Sequence, residues 1–127
     1  MGRLLGVVAA LALGLTVLAG CGSGASTFPT GKWTATDESS GDVALMDFRS
    51  DGTWALTANG QEVTAGTYAT ESGTFTFKTD TYCKGVGAEQ GTYSWTHASE
   101  QLTLKKQDDS CTDRIGLVDG TAWKPAQ

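Results

Sequence analysis

Two hydrophobic patterns divide the chain. Leu4 to Leu18 is an uncharged run dominated by Leu, Val, Ala and Gly behind the short basic start Met1-Gly2-Arg3. It falls short of the roughly 20 apolar residues of a membrane span and has the length of a signal-peptide core, expected to be helical. From Gly31 to Lys124 the chain changes to short stretches in which apolar and polar positions alternate. No window there has the apolar period of about 3.6 that marks an amphipathic helix, so an all-β domain follows. The expected strands are Lys32 to Asp37, Val43 to Arg49, Thr53 to Ala58, Glu62 to Thr70, Thr74 to Thr79, Gly91 to Thr96, Gln101 to Lys106 and one within Ile115 to Lys124. Thr, Val, Phe, Tyr and Trp dominate them and pack well on a pleated surface.

Turn residues set part of the register. If Ser50-Asp51-Gly52 is a three-residue loop with a left-handed Gly, Arg49 pairs with Thr53, and Phe48 faces Trp54, Met46 faces Leu56 and Ala44 faces Ala58. A two-residue loop would oppose Phe48 to Ala55 and scatter the aromatics over both faces, so the longer loop is expected. Asn59-Gly60 predicts a type I′ hairpin. Further on, Phe75 and Phe77, Tyr93 and Trp95, and Leu102 and Leu104 each sit two apart across a polar residue, one face buried and one wet. Such a meander must leave exposed edges or close on itself. Closure removes the edges, and an eight-stranded antiparallel up-and-down barrel is the expected architecture, ahead of a β-sandwich.

Charge removes one class of function. The net charge of −5 has the wrong sign for gripping nucleic acid phosphates. Losing Arg3 with a leader would make the chain more acidic still, so no basic patch is expected to hold anionic lipid.

The leader ends in Leu18-Ala19-Gly20-Cys21, which resembles the lipobox of bacterial lipoproteins, and the Gly, Ser, Ala and Thr of the next stretch read as a flexible tether. The resemblance implies a signal peptide over residues 1–20 that is cut before Cys21, whose thiol carries diacylglycerol and whose amino group can be acylated in turn. Two or three acyl chains make a stable anchor where one is marginal. The expected place is therefore the extracytoplasmic face of a cell membrane, with the tether over residues 21–30 and the folded domain over 31–125. Of the three Cys, lipidation uses Cys21, and export to an oxidising space favours a disulfide between Cys83 and Cys111, closing a loop worth about 3 to 4 kcal/mol. Reduced core thiols and half a metal site are the rival readings. A single His and no neighbouring Cys argue against zinc.

Gly31-Lys32-Trp33 is similar to the G-x-W signature of the lipocalins, within the calycin group. Phe48 to Thr53, Gly66-Thr67-Tyr68, Gly91-Thr92-Tyr93 and Leu102-Thr103-Leu104 resemble the F-x-x-D-G-T, G-T-Y and L-x-L pattern of small bacterial lipocalin-like lipoproteins. Thr79-Asp80-Thr81-Tyr82 is similar to the family's T-D-Y element with one residue added. The resemblance implies that Trp33 plugs the closed end of the barrel and that a basic residue near the last strand, here Arg114, packs over its ring by cation–π attraction.

An eight-stranded barrel either fills its lumen with side chains or holds one small ligand. Carriage would place Met46, Phe48, Trp54, Leu56, Phe75, Phe77, Tyr93 and Trp95 around a pocket for an acyl chain or another small lipophile. The plainer reading makes them core. A second class is a protein-binding module, such as a protease or lysozyme inhibitor, acting through the Thr81 to Gln90 loop; a third is a passive envelope protein. No cofactor, metal or catalytic residue is expected. His97 is read in a turn with no nucleophile beside it, Asp108, Asp109 and Asp113 match no calcium loop, and Gly85, Gly87 and Gly91 miss the dinucleotide spacing.

Overall fold

The β2–β3 hairpin shows how the turn residues dictate the rest. Gly52 adopts φ +87°, the Arg49 amide donates to the Thr53 carbonyl at 2.9 Å, and Phe48 lies opposite Trp54, Met46 opposite Leu56 and Ala44 opposite Ala58. The expected three-residue loop is the one formed. In the computed structural model, which describes residues 27–127, the strands are β1 (Gly31–Thr36), β2 (Val43–Phe48), β3 (Thr53–Ala58), β4 (Gln61–Glu71), β5 (Thr74–Phe77), β6 (Gly91–Ala98), β7 (Gln101–Asp108) and β8 (Ala122–Pro125). Two short helices interrupt them, α1 (Thr81–Lys84) between β5 and β6 and α2 (Thr112–Val118) between β7 and β8. Every neighbour is antiparallel and β1 pairs with β8, so the sheet is a closed eight-stranded barrel in simple meander order. The leader, Cys21 and most of the expected tether lie outside the described residues.

Asn59 and Gly60 both have positive φ, as a type I′ hairpin requires, and the β4–β5 and β6–β7 hairpins use Ser72-Gly73 and Ser99-Glu100 in the same way. The last of these corrects the place of His97. The turn falls two residues later than expected, His97 lies in β6, and its ring meets Trp33 edge-on with centroids 5.4 Å apart.

The barrel has two unlike ends. At the end where β1 begins, the connections are tight and Phe28 folds in across the opening, only 4% exposed. It packs on Phe48, Phe75 and Trp95 with centroids 5.1, 4.9 and 5.4 Å away, making an aromatic plug. Phe28, expected in the flexible tether, is instead part of the core, because burying its ring outweighs ordering the few residues before β1. At the opposite end both long connections fold inward. Here β5 stops at Phe77, two residues early, and the chain crosses the inner face of β4 at Gly66, where a Cβ would lie 1.9 Å from the Thr79 carbonyl oxygen. Only glycine admits that crossing. It delivers Asp80 to the interior, where its carboxylate caps α1 by accepting from the Tyr82 and Cys83 amides, both at 3.0 Å.

Cys83 of α1 is joined to Cys111, the residue before α2, so the expected disulfide is present and ties the two connections together. The expected final strand within Ile115 to Lys124 is in part α2, and β8 begins only at Ala122. The described residues share one buried core, one disulfide and a sheet closed on itself.

Candidate functional site

Alternation along the strands sends the large apolar side chains inward, but they do not fill the barrel evenly. The plug end is solid: Phe28 meets Phe48 and Trp95 edge-on and Tyr68 and Phe75 at a tilt, Phe48 meets Tyr68 and Phe75 edge-on, and Tyr68 lies on Phe75 nearly parallel at 15°. Below it, towards α1 and α2, a cavity of about 260 Å³ remains. Its wall is Met46, Trp54, Leu56 and Phe77 from the strands and Leu117 and Val118 from α2. A void of about 150 Å³ can take benzene, so this one suits a ligand of about ten non-hydrogen atoms.

The mouth lies between β4 and the two helices. At Leu56/Thr57 the β3–β4 ladder slips by one, leaving Val63 as an extra residue that turns towards the cavity. Re-aiming a side chain is a common use of such bulges. Across the opening stands Tyr82, whose hydroxyl donates to Asp113 of α2. Val63 and Tyr82 are 50% and 47% exposed, an apolar rim on a hollow apolar interior.

One edge of the cavity is a charged cluster with all its hydrogen bonds made. Arg114 holds Asp109 with Nε and Nη2 at 2.7 and 2.6 Å, reaches Asp80 with Nη1 at 3.2 Å, and gives its other N–H groups to the Glu89 and Ala88 carbonyls at 2.9 and 3.0 Å. Gly91 leaves room for this grip, since a Cβ there would sit 2.6 Å from Nη2 of Arg114. Burial raises the Asp109 carboxyl, but the hydrogen bonds from Arg114 and the Tyr93 hydroxyl outweigh it and hold it below its ordinary value. Tyr93 is pushed far above its ordinary value by burial first and by Asp109 second. Thr64 joins the cluster by donating to Asp80 at 2.6 Å.

The eight residues expected around a pocket therefore divide. Met46, Trp54, Leu56 and Phe77 line the cavity, whereas Phe48, Phe75 and Trp95 belong to the plug and Tyr93 to the Asp109 cluster. Trp33 is buried near the plugged end, its indole N–H donating to the Pro29 carbonyl at 3.0 Å. Arg114 does not pack on it. The guanidinium lies over Phe77, 5.1 Å from the ring centroid, because α2 comes before β8 and opens onto the other end of the barrel. The Asp108, Asp109 and Asp113 group is pulled apart by Arg114 and Tyr82, and among the described residues no group of His, Cys, Asp and Glu is placed to hold a metal ion.

Val63, Thr64, Asp80, Tyr82, Leu117 and Val118 also line the cavity without having been expected there, as do Cys83, Asp113 and Arg114, which had been weighed for other roles. Asp80 had a legible signal, an Asp directly before Thr-Tyr-Cys that can cap a short helix. The bulge at Val63 and the fold-back of α2 had none, since both depend on contacts distant in sequence. The chain matches no protein-family model, no curated protein and no solved structure.

Proposed function

We infer that the protein is an extracytoplasmic lipoprotein, lipocalin-like in form, whose barrel carries a small hydrophobic ligand at the end away from its lipid anchor. The observation that carries this reading is the half-filled lumen. A barrel that served only as a scaffold would gain stability by filling about 260 Å³ of apolar space, as its plug end does. Here the void is kept and its mouth is ringed by exposed Val63 and Tyr82.

The anchor rests on the lipobox resemblance and on chain length. Cys21 precedes Phe28 by seven residues, a reach of about 25 Å at most, so an acylated Cys21 would hold the plugged end towards the bilayer. The cavity mouth would then open to the aqueous side. Its ligand would arrive through water or from another protein and not directly from the bilayer below.

Isothermal titration of the chain from residue 21 onward, with Cys21→Ser so that no acyl chain competes, tests carriage with 1-octanol as the probe. One-site binding is expected, and Leu117→Trp, which fills the cavity from a half-buried position on α2, should abolish it with the fold intact by circular dichroism. Absence of binding to the unfilled barrel contradicts the reading. For the anchor, radiolabelled palmitate should enter the full chain and fail to enter its Cys21→Ser form.

A second reading, a protein-binding module, is favoured by one observation. Val86 is 66% exposed on the segment after α1, next to Gly87 at φ +75°. Loss of a protein partner on Val86→Ser, with octanol binding unchanged, would support it.

A further inference from the structure

The apolar wall of the cavity fixes the tail of an occupant, and the charged groups at its edge fix the head. Three charged residues line the cavity, Asp80, Asp113 and Arg114. The one cation among them has nothing left to give. Arg114 spends its donors on Asp109, Asp80 and the Ala88 and Glu89 carbonyls, and it is 5% exposed. Asp80 is likewise engaged by Arg114, Thr64 and the α1 amides. Asp113 differs. It is exposed at the mouth, and its Oδ2 accepts from the Tyr82 hydroxyl while its Oδ1 has no partner among the described residues.

A carboxylate entering this mouth would meet Asp113, and among the described residues that line the cavity there is no free cation to receive it. An ammonium would meet a carboxylate oxygen and the half-exposed side chain of Tyr82, whose aromatic ring can attract a cation. It would do so at the rim, where water still solvates it, so the penalty for burying a charge does not arise. Resting on the carriage reading above, we propose that the cavity selects a cationic lipophile, an alkylamine or arylalkylamine of about ten non-hydrogen atoms. Its ammonium sits at Oδ1 of Asp113, beside the Tyr82 ring, and its tail runs down among Leu56, Met46 and Phe77.

The test is a head-group series on one tail. 1-Octylamine, 1-octanol and octanoate are titrated into the chain from residue 21 onward carrying Cys21→Ser, at neutral pH and low salt. An exposed ion pair gives up to about fivefold in affinity, and replacing attraction by repulsion adds to it, so octylamine should bind about tenfold tighter than octanoate, with octanol between them. The gap should narrow at high salt. Asp113→Asn should bring octylamine down to the level of octanol, and Leu117→Trp should remove all three, which separates cavity binding from loose attraction to an acidic surface. Octanoate binding as tightly as octylamine, or an amine preference that survives Asp113→Asn, overturns the head-group assignment and leaves carriage standing. Failure of octanol itself to bind takes both away.

Discussion

Arg114 carries five N–H donors, and each finds an acceptor inside the barrel's lower end. Complete pairing is what makes a buried guanidinium tolerable, and it also makes its removal costly, because Asp80 and Asp109 would be left buried without a counter-charge. Arg114→Met should therefore lower unfolding stability by about 3 to 5 kcal/mol in urea titrations, far more than its loss from a surface would. The acid side of the stability curve follows from the same cluster. Asp109 has a folded-state pKa below its ordinary 3.8, with Asp37 and Asp51 lowered in the same direction by Ser39 and Thr53 in their turns. Their stabilisation is fully present above the ordinary value and is lost as pH falls through the lower folded values. Thermal melts should be flat in this respect above about pH 5 and fall below it, and the fall should be shallower in Asp109→Asn, measured as the change from that variant's own plateau.

The strands were legible at the level of elements because each rule involved residues close in sequence. Gly52 and Asn59-Gly60 fix their hairpins, and the alternation of Met46, Phe48, Trp54 and Leu56 fixes which face is buried. What escaped depends on contacts across the barrel. Phe28 sits in a stretch of Ser, Thr and Pro with no pattern of its own and is ordered only by the rings it meets. Helix α2 is seven residues long, too short to show a period, and is held by Cys111 and Arg114 at its start. The site was half legible for the same reason, since strand residues such as Leu56 and Phe77 were readable and α2 residues such as Leu117 were not. Because the disulfide ties the two cavity-forming connections, its reduction should cost about 3 to 4 kcal/mol in the loop-entropy account. Amide exchange should rise over residues 81–90 and 109–121 before it rises in the β2–β3 hairpin, and octanol affinity should fall with it.

At the scale of the whole molecule, the barrel is asymmetric along its axis. One end is sealed by an aromatic plug next to the chain's entry, and the other is roofed by two disulfide-linked helical turns over an apolar void. Closure leaves no sheet edge for another chain to join, so specificity is concentrated at the ends. Under the proposed function, the anchor and the cavity would lie at opposite poles, the lipid holding the plugged end and the cavity mouth meeting the solvent. The most direct measurement is a two-dimensional methyl NMR titration of residues 21–127, with Cys21→Ser, using 1-octanol. Methyl signals of Met46, Leu56, Leu117 and Val118 should shift together to saturation, while those of Ala69 and Ala98, beside the hairpins at the plugged end, stay in place. Unmoved cavity methyls at millimolar octanol, or shifts scattered over the surface without saturation, would contradict the account.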